Sequence, residues 1–129
     1  MAKSPQQILL VEDDPDIQIV AQMGLEVVGG FTVTVSSSGL EAIDTAPKLL
    51  PDLILLDAMM PGMDGISTLK ALRQIETTAN IPIIFLTASV QTHQVAQYKE
   101  LGALDVIAKP FDPMTLSESI HHIWTKYYD

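Results

Sequence analysis

Five short segments of the chain are rich in apolar or β-branched residues, and amphipathic segments separate them. Four of the five are predominantly apolar, which is typical of strands that are buried on both faces of a sheet. The second instead alternates apolar residues with threonine, a β-rich pattern that also indicates a strand. The predicted strands are residues 8–11, 31–35, 53–56, 81–86 and 104–108.

The segments between the strands carry apolar residues at helical spacing, and polar residues and prolines mark the helix ends. Asp14 followed by Pro15 offers an N-cap and a favourable first helical residue. Ser38 is a candidate cap of the second helix, which Pro47 is expected to end or kink. The cap-and-proline pattern recurs at residues 112–113 and predicts the start of the last helix.

A strand followed by a helix therefore occurs five times. Predominantly apolar strands that alternate with helices predict an α/β fold, with a parallel sheet covered by helices on both faces. The 129 residues fit one domain, with a core at about residues 7–126. Ligands of such folds bind at the carboxyl ends of the strands, so functional residues are expected directly after these ends.

Composition narrows the classes of partner. The formal net charge of −9 makes nucleic acid and anionic membrane poor direct partners, because both require a cationic surface. No apolar run reaches the roughly 18 residues that a membrane span needs, and no apolar signal segment follows the first residues. The chain has no cysteine, which excludes disulfides and thiolate metal sites and suits a cytoplasmic protein.

Charged and polar side chains follow four of the predicted strands. Glu12 and Asp13 come after the first strand, and Asp57, Thr87 and Lys109 follow the third, fourth and fifth. Parallel strands end at one edge of a sheet, so these side chains are expected to meet there. Two carboxylates about 4 Å apart repel by about 4 kcal/mol at an effective dielectric constant of about 20, so a cluster favours cation binding. Oxygen ligands suit Mg²⁺, whereas zinc prefers nitrogen or sulfur.

Taken one at a time, these residues also fit structural roles. Asp57 could cap a helix, the acids after the first strand could form a solvated turn, and the threonine and the lysine could be structural. Asp14 is interpreted only as a helix cap. The three histidines lie on predicted helices far along the chain from the strand ends and are interpreted as ordinary surface or half-buried residues. The coincidence of five polar residues at one edge favours the functional interpretation.

Four segments of the sequence resemble the receiver domains of bacterial response regulators. They are residues 8–14 (ILLVEDD), 52–65 (DLILLDAMMPGMDG), 82–88 (PIIFLTA) and 109–111 (KPF). The resemblance extends over essentially the whole chain, so residues 1–129 are interpreted as a single receiver domain. It implies a flavodoxin-like (βα)5 fold with the strand order 2-1-3-4-5.

The resemblance also implies a magnesium site. Asp13 resembles a direct ligand of Mg²⁺, and Glu12 resembles a ligand that acts through water. Asp57 and the backbone carbonyl of Met59 complete the implied set of protein ligands. The implied cofactor is therefore Mg²⁺, bound by oxygen atoms alone.

The remaining implied roles concern a phosphoryl group. Asp57 resembles the phosphoacceptor, and Thr87 is implied to hydrogen-bond the phosphoryl group once it is present. Lys109 is implied to pair with the acids and then with a phosphoryl oxygen, and its peptide bond to Pro110 is implied to be cis. A carboxylate can attack phosphorus to form an acyl phosphate, so these roles are chemically coherent.

The implied function is a phosphorylation-dependent switch, a phosphoacceptor that assists its own phosphorylation and dephosphorylation rather than an enzyme. Its partners would be a sensor histidine kinase or a histidine phosphotransfer protein and a downstream protein target or output domain, without direct binding to nucleic acid or membrane. One departure is Val106, which occupies the position of an aromatic switch residue in many relatives and has no ring to rotate. A phosphorylation-independent receiver-like docking module therefore remains the alternative.

Two rival classes fit the residues less well. A haloacid-dehalogenase-type phosphatase would need a second aspartate two residues after Asp57, where this chain has Met59. A flavodoxin-like flavin binder would need a phosphate-binding loop after the first strand, where Glu12 and Asp13 would repel phosphate instead.

Overall fold

A computed structural model of the protein describes residues 5–128 and contains one sheet of five parallel strands. The sheet has the order β2-β1-β3-β4-β5, so the predicted α/β fold and strand order are confirmed. The predicted domain limits at residues 1 and 129 lie outside the described residues. The strands are β1 (Gln7–Val11), β2 (Thr32–Ser36), β3 (Leu53–Asp57), β4 (Ile83–Thr87) and β5 (Asp105–Ala108).

Five helices follow the strands, and the first continues as a π-helical segment, Gly24–Val28. Both predicted caps are present. The Asp14 carboxylate accepts a hydrogen bond from the N–H of Asp16 at 2.9 Å. The Ser38 hydroxyl accepts one from the N–H of Glu41 at 3.1 Å. The helices are α1 (Pro15–Met23), α2 (Gly39–Leu49), α3 (Gly65–Gln74), α4 (Thr92–Glu100) and α5 (Leu116–Tyr128).

The side chains of the central strands alternate between two apolar cores. Ile8 and Leu10 of β1 belong to the core beneath α1 and α5. Leu9 and Val11 belong to the core on the opposite face, beneath α2 and α3. All four side chains are fully buried, and β3 and β4 are buried throughout. The strands that end at the carboxyl edge of the sheet are therefore firmly packed between the two cores.

Pro47 does not end the second helix, which is one of the two outcomes expected of it from the sequence. Pro47 lies inside α2, which continues to Leu49. The missing N–H of a proline removes one backbone hydrogen bond, and here this loss falls in the last turn of the helix. The helix ends instead at Leu50, whose φ of 51° is left-handed.

The prediction that the last helix starts at residues 112–113 is wrong. The Asp112 carboxylate accepts a hydrogen bond from the N–H of Met114 at 2.8 Å, which makes a turn, and α5 begins only at Leu116. β4 begins at Ile83, two residues later than predicted, after Pro82, which has no N–H for the ladder. Other strand boundaries shift by one residue. Among the described residues, no helix is long and apolar enough to cross a membrane.

Candidate functional site

Three acidic side chains meet at the carboxyl edge of the sheet. Glu12 directly follows β1, Asp13 comes next, and Asp57 is the last residue of β3. The two strands are neighbours with Val11 opposite Leu56, so they end side by side. One carboxylate oxygen from each acid lies within 4.8 Å of the others. The structure thus brings together the acids that the sequence placed after two separate strands.

A single lysine contacts two of these acids. The Lys109 ammonium lies 3.0 Å from Oε1 of Glu12 and 3.2 Å from Oδ1 of Asp57. Glu12 is fully buried and Asp57 is 2% exposed, whereas Asp13 is half-buried. Carboxylates removed from water are costly unless they are compensated, and one ammonium cannot balance three of them.

Burial changes the protonation of this cluster. It raises the pKa of the Glu12 carboxyl to about 7, and the nearby Asp57 acts in the same direction while Lys109 opposes it. Burial also lowers the pKa of Lys109, but the hydrogen bonds and charges of Glu12 and Asp57 outweigh it and raise that pKa above its usual value. The lysine is therefore cationic at neutral pH, and its single positive charge does not neutralise the three acidic side chains.

The backbone and the side chain of Glu12 are held at several points. Its N–H donates to the carbonyl of Ser36 at 3.0 Å, and its Oε2 accepts from the N–H of Asp14 at 3.3 Å. Its carbonyl accepts from Nε2 of Gln18 at 2.6 Å. Sequence reasoning missed Gln18, because no motif marks it and only the folded turn brings it back to Glu12.

The loop after Asp57 is closed tightly. The N–H of Met59 donates to Oδ1 of Asp57 at 3.1 Å, and the N–H of Gly65 donates to the carbonyl of Ala58 at 3.1 Å. A Cβ at Gly65 would lie 2.4 Å from the carbonyl oxygen of Asp57, so only glycine fits there. The side chain of Met59 is 77% exposed. In the sequence this glycine is visible only as part of a motif, and the close approach appears only in the folded chain.

Thr87 and Lys109 reach the same edge from β4 and β5. Thr87 is the last residue of β4 and lies opposite Ala108, and its carbonyl accepts from the N–H of Lys109 at 2.8 Å. The Thr87 hydroxyl accepts a hydrogen bond from the N–H of Ser89 at 3.2 Å and, within the described part of the chain, makes no hydrogen bond to an acid of the cluster. The hydroxyl of Ser89 in turn donates to Gln94 of α4. The Lys109-Pro110 peptide is cis.

Four further residues lie outside the cluster. His93 is exposed on α4, and His121 and His122 are exposed on α5. The ring of His121 stacks on Phe31, with the centroids 5.4 Å apart. Val106 is half-buried in β5 and packs against the core beneath α2 and α3.

Comparison with known proteins identifies the family. The family model of the response regulator receiver domain matches residues 8–121. The chain therefore belongs to the response regulator receiver domain family of two-component signal transduction, whose members are phosphoacceptor switches. This confirms the resemblance inferred from the motifs.

The sequence relatives include proteins of different lengths. The chain is 41% identical to sporulation initiation phosphotransferase F of Bacillus subtilis over 109 residues, which cover 83% of this chain and 84% of that protein. It is 40% identical over 106 residues to the DNA-binding dual master transcriptional regulator RpaA of a Synechocystis strain, covering 82% of this chain and 44% of the relative. The chain spans about half the length of several curated relatives it matches, RpaA among them.

Solved structures support the same assignment. The chemotaxis response regulator CheY4 of Vibrio cholerae superimposes with a TM-score of 0.85 at 30% identity, covering 92% of this chain and 98% of that one. The receiver domain of the sensor histidine kinase PA1611 from Pseudomonas aeruginosa has a TM-score of 0.79 at 34% identity, with 91% and 95% coverage. That structure holds a magnesium ion in its active site cleft.

Proposed function

We propose that the chain is a phosphorylation-dependent signalling switch that accepts a phosphoryl group on Asp57 in the presence of Mg²⁺. The observation that carries the proposal is the contact of a nearly buried aspartate with a lysine, 3.2 Å away, in a cluster of two further acids. A structural ion pair would need one carboxylate, whereas this cluster contains three, and a single ammonium contacts two of them.

The donor set fits magnesium. The carboxylates of Asp13 and Asp57 and the carbonyl of Met59 would hold the ion directly, and Glu12 would act through water. All are oxygen ligands, which Mg²⁺ prefers, and the unbalanced negative charge favours a divalent cation. When bound, the ion supplies neutralisation of charge on the phosphoryl oxygens. The magnesium in the related PA1611 receiver domain supports this proposal.

The chemistry that the chain's own residues would perform is a phosphoryl transfer. A carboxylate oxygen of Asp57 attacks the phosphorus of a phosphohistidine, a P–O bond forms, and the P–N bond breaks with its electron pair leaving on the imidazole. Lys109 stands beside Asp57 and would pair with a phosphoryl oxygen. Thr87 would exchange its contact with Ser89 for one with the phosphoryl group.

The proposed phosphodonor is a sensor histidine kinase or a histidine phosphotransfer protein. The added phosphoryl group brings negative charge and three acceptor oxygens to the edge of β3 and β4, which can shift a two-state surface. The proposed recipient of the signal is a downstream protein target or an output domain. The DNA-binding relatives illustrate an output of the second kind.

The proposal is tested by phosphorylation with acetyl phosphate and Mg²⁺, followed by intact-mass spectrometry. The wild type should gain one phosphate, and Asp57→Asn or treatment with EDTA should abolish it. Asp44→Asn is the matched control, because Asp44 is an exposed acid of α2, with 72% of its side chain accessible. Equal labelling of Asp57→Asn would contradict the assignment, and an unlabelled wild type would favour the phosphorylation-independent docking module.

A further inference from the structure

The side-chain amide of Gln18 joins three segments around the acidic cluster. Gln18 lies in α1, about one turn after the cap residue Asp14, and is half-buried. Its Nε2 donates to the carbonyl of Glu12 at 2.6 Å and to the hydroxyl of Ser37 at 3.2 Å. The end of β1, the first helix and the loop after β2 are therefore tied by one side chain.

The chemistry of the partners fixes the orientation of this amide. A backbone carbonyl only accepts hydrogen bonds, so the NH₂ group and not the oxygen of Gln18 must face Glu12. Its two hydrogens match the two acceptors found, the carbonyl of Glu12 and the hydroxyl of Ser37. Both donors of the amide are thus used in one defined geometry.

The carbonyl that Gln18 holds belongs to the peptide between Glu12 and Asp13. Because a peptide is planar, fixing its oxygen restricts the backbone rotation on both sides of it. Glu12 is already held by Ser36 and Lys109. Among the described residues, the Asp13 carboxylate accepts no hydrogen bond, so its direction depends on this backbone.

We propose that Gln18 is a positioning residue that orients the Asp13 carboxylate toward Asp57 by holding the intervening peptide. The inference rests on the proposed function, in which Asp13 and Asp57 bind Mg²⁺ directly. Mg²⁺ requires near-ideal octahedral geometry, so a small change in the direction of one ligand lowers its affinity. Gln18 itself touches neither the ion nor the reacting atoms.

The test replaces Gln18 with methionine, which has a similar length and no donor. Titration calorimetry should show Mg²⁺ affinity about fivefold weaker in Gln18→Met, the effect of one lost hydrogen bond. Gln22→Met is the matched control, since Gln22 is a half-buried glutamine one turn further along α1, and it should bind like the wild type. Ser37→Ala removes only the second contact and should weaken binding less than Gln18→Met does.

Two further measurements separate positioning from a merely structural role. At saturating Mg²⁺, Gln18→Met should be phosphorylated by acetyl phosphate at the wild-type rate, because the reacting groups are unchanged. Thermal unfolding without metal should show that both glutamine variants fold. If Gln18→Met does not fold, the shorter amide variant Gln18→Asn takes its place with the same expected weakening.

The outcomes are distinguishable. A wild type that neither binds Mg²⁺ nor becomes phosphorylated would overturn the proposed function itself. A wild type that does both, with a Gln18→Met variant of unchanged Mg²⁺ affinity, would overturn only the role of Gln18. Equal weakening by Ser37→Ala and Gln18→Met would assign the effect to the loop after β2 and contradict the role of the peptide.

Discussion

The two sides of the acidic site differ in how firmly the chain is packed. On the side of β1 and β3, all residues of β3 are buried, and Glu12 is held through its N–H, its carbonyl and both carboxylate oxygens. On the side of β5 and α4, no residue of α4 is buried, and only Ile107 of β5 is. The groups that would bind the metal and the phosphoryl group stand at the border between these sides.

This difference indicates which part of the structure can change at the lowest cost in free energy. Segments with few buried apolar contacts open and rearrange at lower free energy than core strands do. The contact from Thr87 to Ser89 and on to Gln94 connects the site with α4, on the loosely packed side. We therefore expect the β1 and β3 side to keep its conformation when the protein is phosphorylated. The conformational change should occur on the α4 side.

The largest expected effect is on stability. Leu55→Ala, at a fully buried position of β3, should lower the free energy of unfolding by about 2–5 kcal/mol through lost burial and a residual cavity. Val95→Ala, at a half-buried position of α4, should cost roughly 1 kcal/mol or less. Urea denaturation of the metal-free protein measures both, and similar losses would remove the contrast between the two sides.

The next effect concerns the metal. Asp13→Ala should weaken Mg²⁺ binding by more than the roughly 10–100-fold that the loss of an outer-shell partner costs. The same variant should be more stable than the wild type without metal, because it removes like-charge repulsion. Asp16→Ala, at an exposed position in the first turn of α1, is the control for the change in net charge. Unchanged affinity in calorimetry would place the metal elsewhere.

A third prediction concerns the response to phosphorylation. Hydrogen–deuterium exchange should change mainly between residues 87 and 101, which include the end of β4 and all of α4. Val106 is β-branched and has no ring to swing, so β5 should change less. Protection that changes only in β5, in phosphorylated protein compared with Asp57→Asn, would refute this pattern.

The smallest expected effect is on the lifetime of the phosphoryl group. Hydrolysis requires a water aligned opposite the Asp57 oxygen, and the exposed side chain of Met59 is a poor partner for that water. Met59→Asn should lose the phosphate about fivefold faster, the effect of about one hydrogen bond. Met114→Asn, another exposed methionine, should leave the rate unchanged. Slower loss from Met59→Asn would contradict the role of this position.

The sequence alone predicted the structure correctly where the local hydrophobic pattern and the local residue types indicate the same element. Four apolar runs and one alternating β-rich segment predicted the five strands, and the polar residues after the apolar runs predicted which side chains reach the carboxyl edge. Asp14 and Ser38 cap helices as their types suggest. The strand order came from the family resemblance, because periodicity does not specify which strands are neighbours.

The failures have physical causes that act beyond the local pattern. Pro47 does not end α2, because a proline in the last turn removes one bond from a helix whose buried face still packs. Asp112 forms a turn where the pattern predicted a helix cap. The contacts of Gln18 and Gly65 depend on close approaches between separate segments, which no sequence pattern displays.

The tight closure of the loop after Asp57 also has a consequence for how such a protein can evolve. The N–H of Gly65 donates to the carbonyl of Ala58, so backbone atoms join the two ends of the loop and leave the exposed side chain of Met59 out of this closure. Met59, an exposed residue of this loop, can therefore be substituted while Asp57 stays in place. We therefore expect single substitutions at this position to alter the lifetime of the proposed phosphoryl group without a change in the fold.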